Sequence, residues 1–214
     1  MLLAVGGAMS ATDVAAQQPT AVALGTARIG QLPDGFKMAR TGQGAPAAWS
    51  VVEDVSVAPG KVLAQTSIDQ TDYRFPLAIF DGVTARDVEV SVRFKAVGGH
   101  IDRAGGIAVR LTDPDNYYVL RANALEDNVN FYYVLRGSRR QIRGVSTKVA
   151  SDRWHELSLK AVGDNFTIGF NGTTLFSAAD RTISTPGKVA LWTKADSVTR
   201  FDSLMIRTLH TDGS

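Results

Sequence analysis

The sequence predicts an all-β domain in which two antiparallel sheets pack face to face as a jelly-roll β-sandwich. Polar and apolar residues alternate with a period of two through most of the chain from Leu32 onward, and turn residues break the alternation at intervals too short to leave room for helices. Across residues 87–95, Val88, Val90, Val92 and Phe94 fall on one side and Asp87, Glu89, Ser91, Arg93 and Lys95 on the other, as in a half-buried strand. Residues 105–111 end at Thr112-Asp-Pro-Asp-Asn116, whose members fix φ or make Asx-type bonds, and 117–123 resume the alternation as the return arm of a hairpin. A second hairpin runs from 128–136 through Gly137-Ser138 into 140–143. Residues 154–162, 166–170 and 173–176 form a three-strand meander, closed by Asn171-Gly172, two residues that tolerate positive φ. Residues 187–193 and 199–207 complete the system as a final pair. Roughly a dozen strands with one buried face each require two packed sheets, and the absence of an internal repeat argues against a propeller or solenoid.

The 214 residues suit one domain, since a chain of this size buries about 70% of its unfolded surface without staples. Lys and Arg number 23 against 21 Asp and Glu, and a net charge of +2 is too small to imply nucleic acid. With no Cys, disulfide scaffolds, thiolate zinc sites, iron–sulfur clusters and a Cys nucleophile are excluded, and three scattered His disfavour an imidazole metal site. The apolar start, followed by the small residues Val14-Ala15-Ala16, predicts a signal peptide over 1–16 and hence an exported protein, periplasmic or extracellular. Residues 17–31, rich in Ala, Thr and Gln, are expected to be flexible, with the domain over 32–209 and a tail over 210–214. No other stretch approaches the ~18 apolar residues of a membrane span.

The outward faces differ. Burial of Ile107, Val109 and Leu111 sends Ala108 and Arg110 outward; burial of Tyr118, Leu120 and Ala122 sends out Tyr117, Arg121 and Asn123. By the same parity Asn130, Tyr132 and Trp192 face out, whereas strands 87–95 and 156–160 expose mixed charges with no aromatic. Sugars offer apolar C–H faces to aromatic rings and hydroxyls to amides and guanidinium groups, so Arg110, Tyr117, Arg121, Asn123, Asn130, Tyr132 and Trp192 together suit a carbohydrate partner. Cross-strand aromatic pairing that only stabilises the sheet explains the rings equally well. Residues 128–151 contain no acid but include Arg136, Arg139, Arg140, Arg143 and Lys148, a basic edge that either attracts uronate, sulfate or phosphate groups or discourages edge-to-edge pairing.

Acid–base chemistry has weaker support: Glu126, Asp127 and His100 are the candidates in loops flanking this face, and each is also an ordinary solvated loop residue. No cofactor is required. Calcium is conceivable only if Asp34 and Asp202 meet through neighbouring terminal strands, and two acids fall short of its six to eight oxygens.

The runs Gly105-Gly-Ile-Ala-Val-Arg110, Asn116-Tyr-Tyr-Val-Leu-Arg121, Asp152-Arg-Trp-His-Glu-Leu157, Phe170-Asn-Gly-Thr173, Pro186-Gly-Lys-Val-Ala-Leu-Trp192 and Phe201-Asp-Ser-Leu204 resemble the concanavalin A-like, laminin G-like jelly-roll superfamily over about residues 32–209. More narrowly they resemble the 3-keto-disaccharide hydrolase group of family-16-like glycoside hydrolases. That resemblance implies an exported glycan-binding module, or alternatively a hydrolase or lyase acting on a keto-disaccharide or glycoside; a structural envelope or adhesion module is the third reading. The Glu-x-Asp-x-x-Glu strand of family-16 glycosidases is absent, Tyr117-Tyr-Val-Leu-Arg stands where the keto-sugar family has its Tyr-Glu-x-Gln type strand, and Arg110 alone carries over.

Overall fold

The structure, a computed structural model, describes residues 18–209; the expected signal peptide and C-terminal tail lie outside them. The described chain contains fifteen strands and no helix: β1 (Thr20–Val22), β2 (Phe36–Gly42), β3 (Trp49–Glu53), β4 (Lys61–Gln65), β5 (Arg74–Ala85), β6 (Val88–Gly98), β7 (Ala104–Asp113), β8 (Asn116–Asn123), β9 (Asn128–Leu135), β10 (Ser138–Ser146), β11 (His155–Val162), β12 (Asn165–Phe170), β13 (Thr173–Ala179), β14 (Gly187–Trp192) and β15 (Val198–Thr208). They make two antiparallel sheets. The first runs β13-β12-β11-β6-β15-β4-β3, with β1 added against β15, and the second runs β10-β9-β8-β7-β14-β5-β2.

The expected hairpins and meander are present in register. Tyr118 faces Val109 and Tyr133 in the β7–β8–β9 ladder, and Leu159 lies between Val90 and Ile168. Two expectations are corrected. β14 and β15 do not pair but enter different sheets, because five residues between them are enough to cross the sandwich. The segment read as flexible supplies β1, whose Thr20–Val22 face Ile206–Leu204: three residues with free backbone groups complete a sheet edge whatever their composition.

The core between the sheets is the alternating apolar set. Val90, Val92, Phe94, Leu157, Leu159 and Phe166 of the first sheet meet Ile107, Tyr118, Leu120, Phe131 and Leu191 of the second, and Tyr118, Phe131 and Phe166 pack ring to ring with centroids 4.6–5.7 Å apart. The outward face of the first sheet is less plain than its charges suggested. Trp154, from the loop before β11, lies 5.0 Å from both Arg93 and Lys95, and buried Asp54 accepts from Lys95 at 2.8 Å and Arg200 at 2.9 Å.

Arg110 is the main correction to the strand reading. The β7–β8 register shifts between Val109 and Asp113, and Arg110 takes φ 51°. An extra residue there reverses side-chain parity, so Leu111 joins the outward face while Arg110 turns inward and is fully buried. Its guanidinium donates to the carbonyls of Arg86 (2.9 Å), Ile183 (3.0 Å) and Gly163, stands 3.5 Å from Asp87 and stacks on Phe166. It closes one end of the sandwich rather than serving a sugar.

Arg110→Met leaves three carbonyls and Asp87 without that donor, so stability measured by urea denaturation should fall by about 3–5 kcal/mol. A loss below about 0.5 kcal/mol, the range of surface substitutions, would show that these contacts do not hold the fold.

Candidate functional site

The outward face of the second sheet is curled, and the curl defines the site. β9 and β5 are separated by β8, β7 and β14, which in a flat sheet places them about 19 Å apart. Yet the Arg139 guanidinium of β10 lies 4.6 Å from the Tyr132 ring of β9, 4.8 Å from Phe75 of β5 and 5.9 Å from Trp192 of β14. Tyr73, just before β5, spans the same gap: its hydroxyl donates to Gly137 O (2.8 Å) and accepts from the Arg139 backbone N–H (2.7 Å).

One part of this concave face is thereby sealed. Tyr117 and Trp192 do point to it, as the alternation requires, but both are fully buried. Trp192 Nε1 donates to the Tyr117 hydroxyl (3.3 Å), which lies 2.8 Å from the Thr41 hydroxyl, and Thr41 in turn donates to Pro114 O (2.5 Å). Burial pushes the Tyr117 phenol up, and this relay answers its polar atom within the protein. These two rings are floor, as the sheet-stabilising alternative holds, while Tyr132 keeps a thin edge of exposure at 5%.

The other part is polar and reaches solvent. On β8 and β9, Arg121 and Asn130 are direct cross-strand partners, as are Asn123 and Asn128. Arg121 donates to Glu126 Oε2 (2.7 Å), to Asn128 Oδ1 (3.2 Å) and to the Tyr132 hydroxyl (3.0 Å), which also accepts from Asn130 Nδ2 (2.9 Å). Glu126 accepts a further bond from Asn128 (3.0 Å) and leaves 47% of its side chain exposed, while Arg121 beneath it is 4% exposed. Asn123 reaches away to buried Asp102 (2.9 Å), which also holds Lys194 (3.1 Å), and Lys194 bridges to exposed Asp72 (2.5 Å). Arg121 Nε and one Arg139 nitrogen are buried with no hydrogen-bond partner among the described residues.

The structure thus brings Arg121, Asn130 and Tyr132 together with Glu126, turns Asn123 toward Asp102 and removes Arg110. Asp127 diverges from Glu126: at φ 48° it turns away to hold Lys148 and the Val149 N–H. His100 is exposed, its loop fixed by Asp196, which accepts the N–H groups of His100, Ile101 and Asp102 at 2.7–3.0 Å. Asp34 precedes β2 of the second sheet, whereas Asp202 on β15 of the first is paired with Arg93 at 3.3 Å, so the strands expected to join them are not neighbours. Sequence reasoning passed over Asn128 and Lys194, although parity placed both on this face, and it missed Gly144; Asp102, one of the loop acids open to acid–base work, instead anchors Asn123 and Lys194. An added Cβ at Gly144 would collide with the Asn130 carboxamide, so the bare backbone of β10 is what admits Asn130 to the cluster.

A two-sheet antiparallel sandwich of this topology makes the chain a concanavalin A-like jelly-roll protein. Residues 45–209 match the family of the galactocerebrosidase C-terminal lectin domain, and the chain belongs to that family. The family match agrees with the jelly-roll superfamily that the sequence motifs indicated. Among solved structures it is similar to carbohydrate-binding module CBM66 from Bacillus subtilis, with a TM-score of 0.63 and 20% identity, covering 81% of this chain and 96% of that one. It is also similar to domain 4 of a GH43 extracellular arabinanase from Geobacillus stearothermophilus in complex with arabinotriose, with a TM-score of 0.52 and 15% identity over 81% and 84% of the two chains. A third similar structure, a Bacillus licheniformis β-glucanase, has a TM-score of 0.54 and 14% identity over 84% and 95%. At these identities the likeness is one of fold. No curated protein sequence matches the chain.

Electrostatics separate the two acids of the site. Burial pushes Glu126 up, but the bonds from Arg121 and Asn128 outweigh it and hold the carboxyl below its ordinary value of 4.5. At Asp102 burial prevails over Arg121 and Lys194, and the carboxyl sits above its ordinary 3.8. Glu126 therefore contributes stability that is present above its unfolded value and lost as pH falls through its lowered one; Asp102 carries a cost above its raised value that is relieved on acidification. A side-chain carboxyl NMR titration should find the Glu126 midpoint below 4.5 and the Asp102 midpoint above 3.8. Arg121→Ala should raise both, and a Glu126 midpoint unmoved by that substitution would mean that the ion pair is not formed.

Proposed function

We propose that this chain is a carbohydrate-binding module that takes a glycan on the concave face of its second sheet. The observation that carries the proposal is the mutually bonded set of buried Arg121, Asn130 and Tyr132 with half-buried Asn128, under a half-exposed Glu126. A carboxylate held in its charged form accepts two sugar hydroxyls, and fixed amide, phenol and guanidinium groups around it set which hydroxyl geometry fits. Membership of a lectin-domain family and the fold shared with the Bacillus subtilis carbohydrate-binding module support the same reading. The sealed aromatic floor adjoins this set, with the Tyr132 edge as its one partly open ring. Export to the periplasm or outside the cell, expected from the N-terminal segment, belongs to the proposal, and an extracellular arabinanase domain of the same fold supports it. Of the three acid–base candidates only Glu126 enters the cluster, and there it is engaged by Arg121 and Asn128, which suits recognition better than proton transfer.

The test is a glycan array followed by calorimetry on the strongest neutral hit. Glu126→Gln and Asn130→Ala should each weaken binding by about tenfold or more, since each removes hydrogen bonds to the ligand or to the set that positions them. Gly144→Ala should weaken it through displacement of Asn130 while leaving the Glu126 midpoint low. Saturable binding that survives both Glu126→Gln and Asn130→Ala would place the glycan elsewhere, and an array with no hits would favour a structural module. Product released from the hit would move the assignment to the hydrolase or lyase reading.

A further inference from the structure

Within the concave site the charges pair off and leave one over. Arg121 has Glu126 at 2.7 Å, and Lys194 has both Asp102 at 3.1 Å and Asp72 at 2.5 Å. Arg139 makes no ion pair among the described residues: its guanidinium rests on the rings of Phe75, Tyr132 and Trp192, with one nitrogen buried and without a hydrogen-bond partner. Ring faces offset part of the cost of drying a guanidinium, but a carboxylate or sulfate offsets more, because charge-assisted bonds to a guanidinium are among the strongest a protein makes. The residue as a whole is only partly buried.

A second, independent observation lies outside the pocket. Arg139 sits on the edge strand β10, which has no neighbour on its far side. That strand and the turn before it also carry exposed Arg136, Arg140 and Arg143, in a stretch from 128 to 151 with no Asp or Glu. The acid nearest in sequence, Asp127, is taken by Lys148 at 2.8 Å. An acid-free cationic strand bordering a concave site draws a polyanion along the edge and toward the pocket.

We propose that the glycan this module recognises is acidic, a polymer bearing carboxylate or sulfate groups, with Arg139 as the residue that selects the charge and β10 as the track beside it. The inference rests on the reading of the concave face as a glycan site. Carboxylate and sulfate present the same anionic oxygens to a guanidinium, so the test separates them with matched polymers.

Affinity electrophoresis would compare polygalacturonate with its fully methyl-esterified form, and chondroitin sulfate with the chemically desulfated polymer. The acidic member of at least one pair should bind about tenfold or more tightly than its neutralised partner, as expected for one charge-assisted contact. The preference should shrink as NaCl rises. A preference confined to the first pair assigns uronate, one confined to the second assigns sulfate, and either supports the inference. Arg139→Ala should abolish the preference and Arg139→Lys keep part of it, with near-UV circular dichroism checking the aromatic packing. Arg140→Ala, at an exposed position of the same strand, should weaken acidic-polymer binding two- to threefold by the loss of one edge charge, and covers the case in which Arg139→Ala fails to fold. Equal binding of charged and neutralised members by the wild-type protein would overturn this inference and leave the glycan-site reading standing. Binding of none of these polymers together with an empty neutral array would overturn both.

Discussion

Both long sides of the second sheet must be dry at their centre, and that constraint organises the molecule. The inner side is dry because it packs on the first sheet, and the outer side because the sheet curls until its own strands cover one another. The curl is held at two points: the Tyr73 hydroxyl bridges the loop before β5 to the β9–β10 turn, and the Arg139 guanidinium spans rings from three strands. Without them Tyr117, Trp192 and Phe75 would form a broad apolar surface of the kind that soluble proteins rarely expose.

The closed curl also accounts for the position and chemistry of the candidate site. Where the rings meet, the face is filled; toward the ends of β8 and β9 the side chains change to Arg121, Asn123, Asn128 and Asn130, and the loops at 99–103 and 124–127 rise around them. Those loops are fixed from behind. Asp196 gathers three consecutive N–H groups of the first, and Asn123 ties Asp102 to the Leu125 N–H of the second at 2.8 Å. A lectin-family jelly roll with a rigid polar cluster at one end of a curved sheet is well suited to a ligand that offers many hydroxyls in fixed relation.

Much of this was legible in the sequence, and its limits have physical causes. Period-two alternation identified the strands from β6 to β15, though not β1 to β5, and the outward placement of Tyr117, Arg121, Asn123, Asn130, Tyr132 and Trp192, because side-chain parity along a regular strand is dictated by the pleat; the Thr112–Asn116 and Asn171-Gly172 turns followed from residues that fix φ or tolerate positive φ. Arg110 escaped that logic. One extra residue in β7 reverses parity, and nothing local in Val-Arg-Leu-Thr announces a bulge. The difference between Glu126 and Asp127 was equally hidden, since adjacent loop residues point wherever their backbone sends them.

The sequence by itself determined the all-β class, the main hairpins and which residues could share a face, since these follow from spacing along the chain. Tertiary structure alone decided which of those residues are floor and which are site. Exposure on a curled sheet depends on strands far apart in sequence, with Thr41 meeting Tyr117, Tyr73 meeting Gly137 and Arg139 meeting Phe75. A residue's outward direction is a property of its own strand, whereas the space in front of it belongs to the whole sheet.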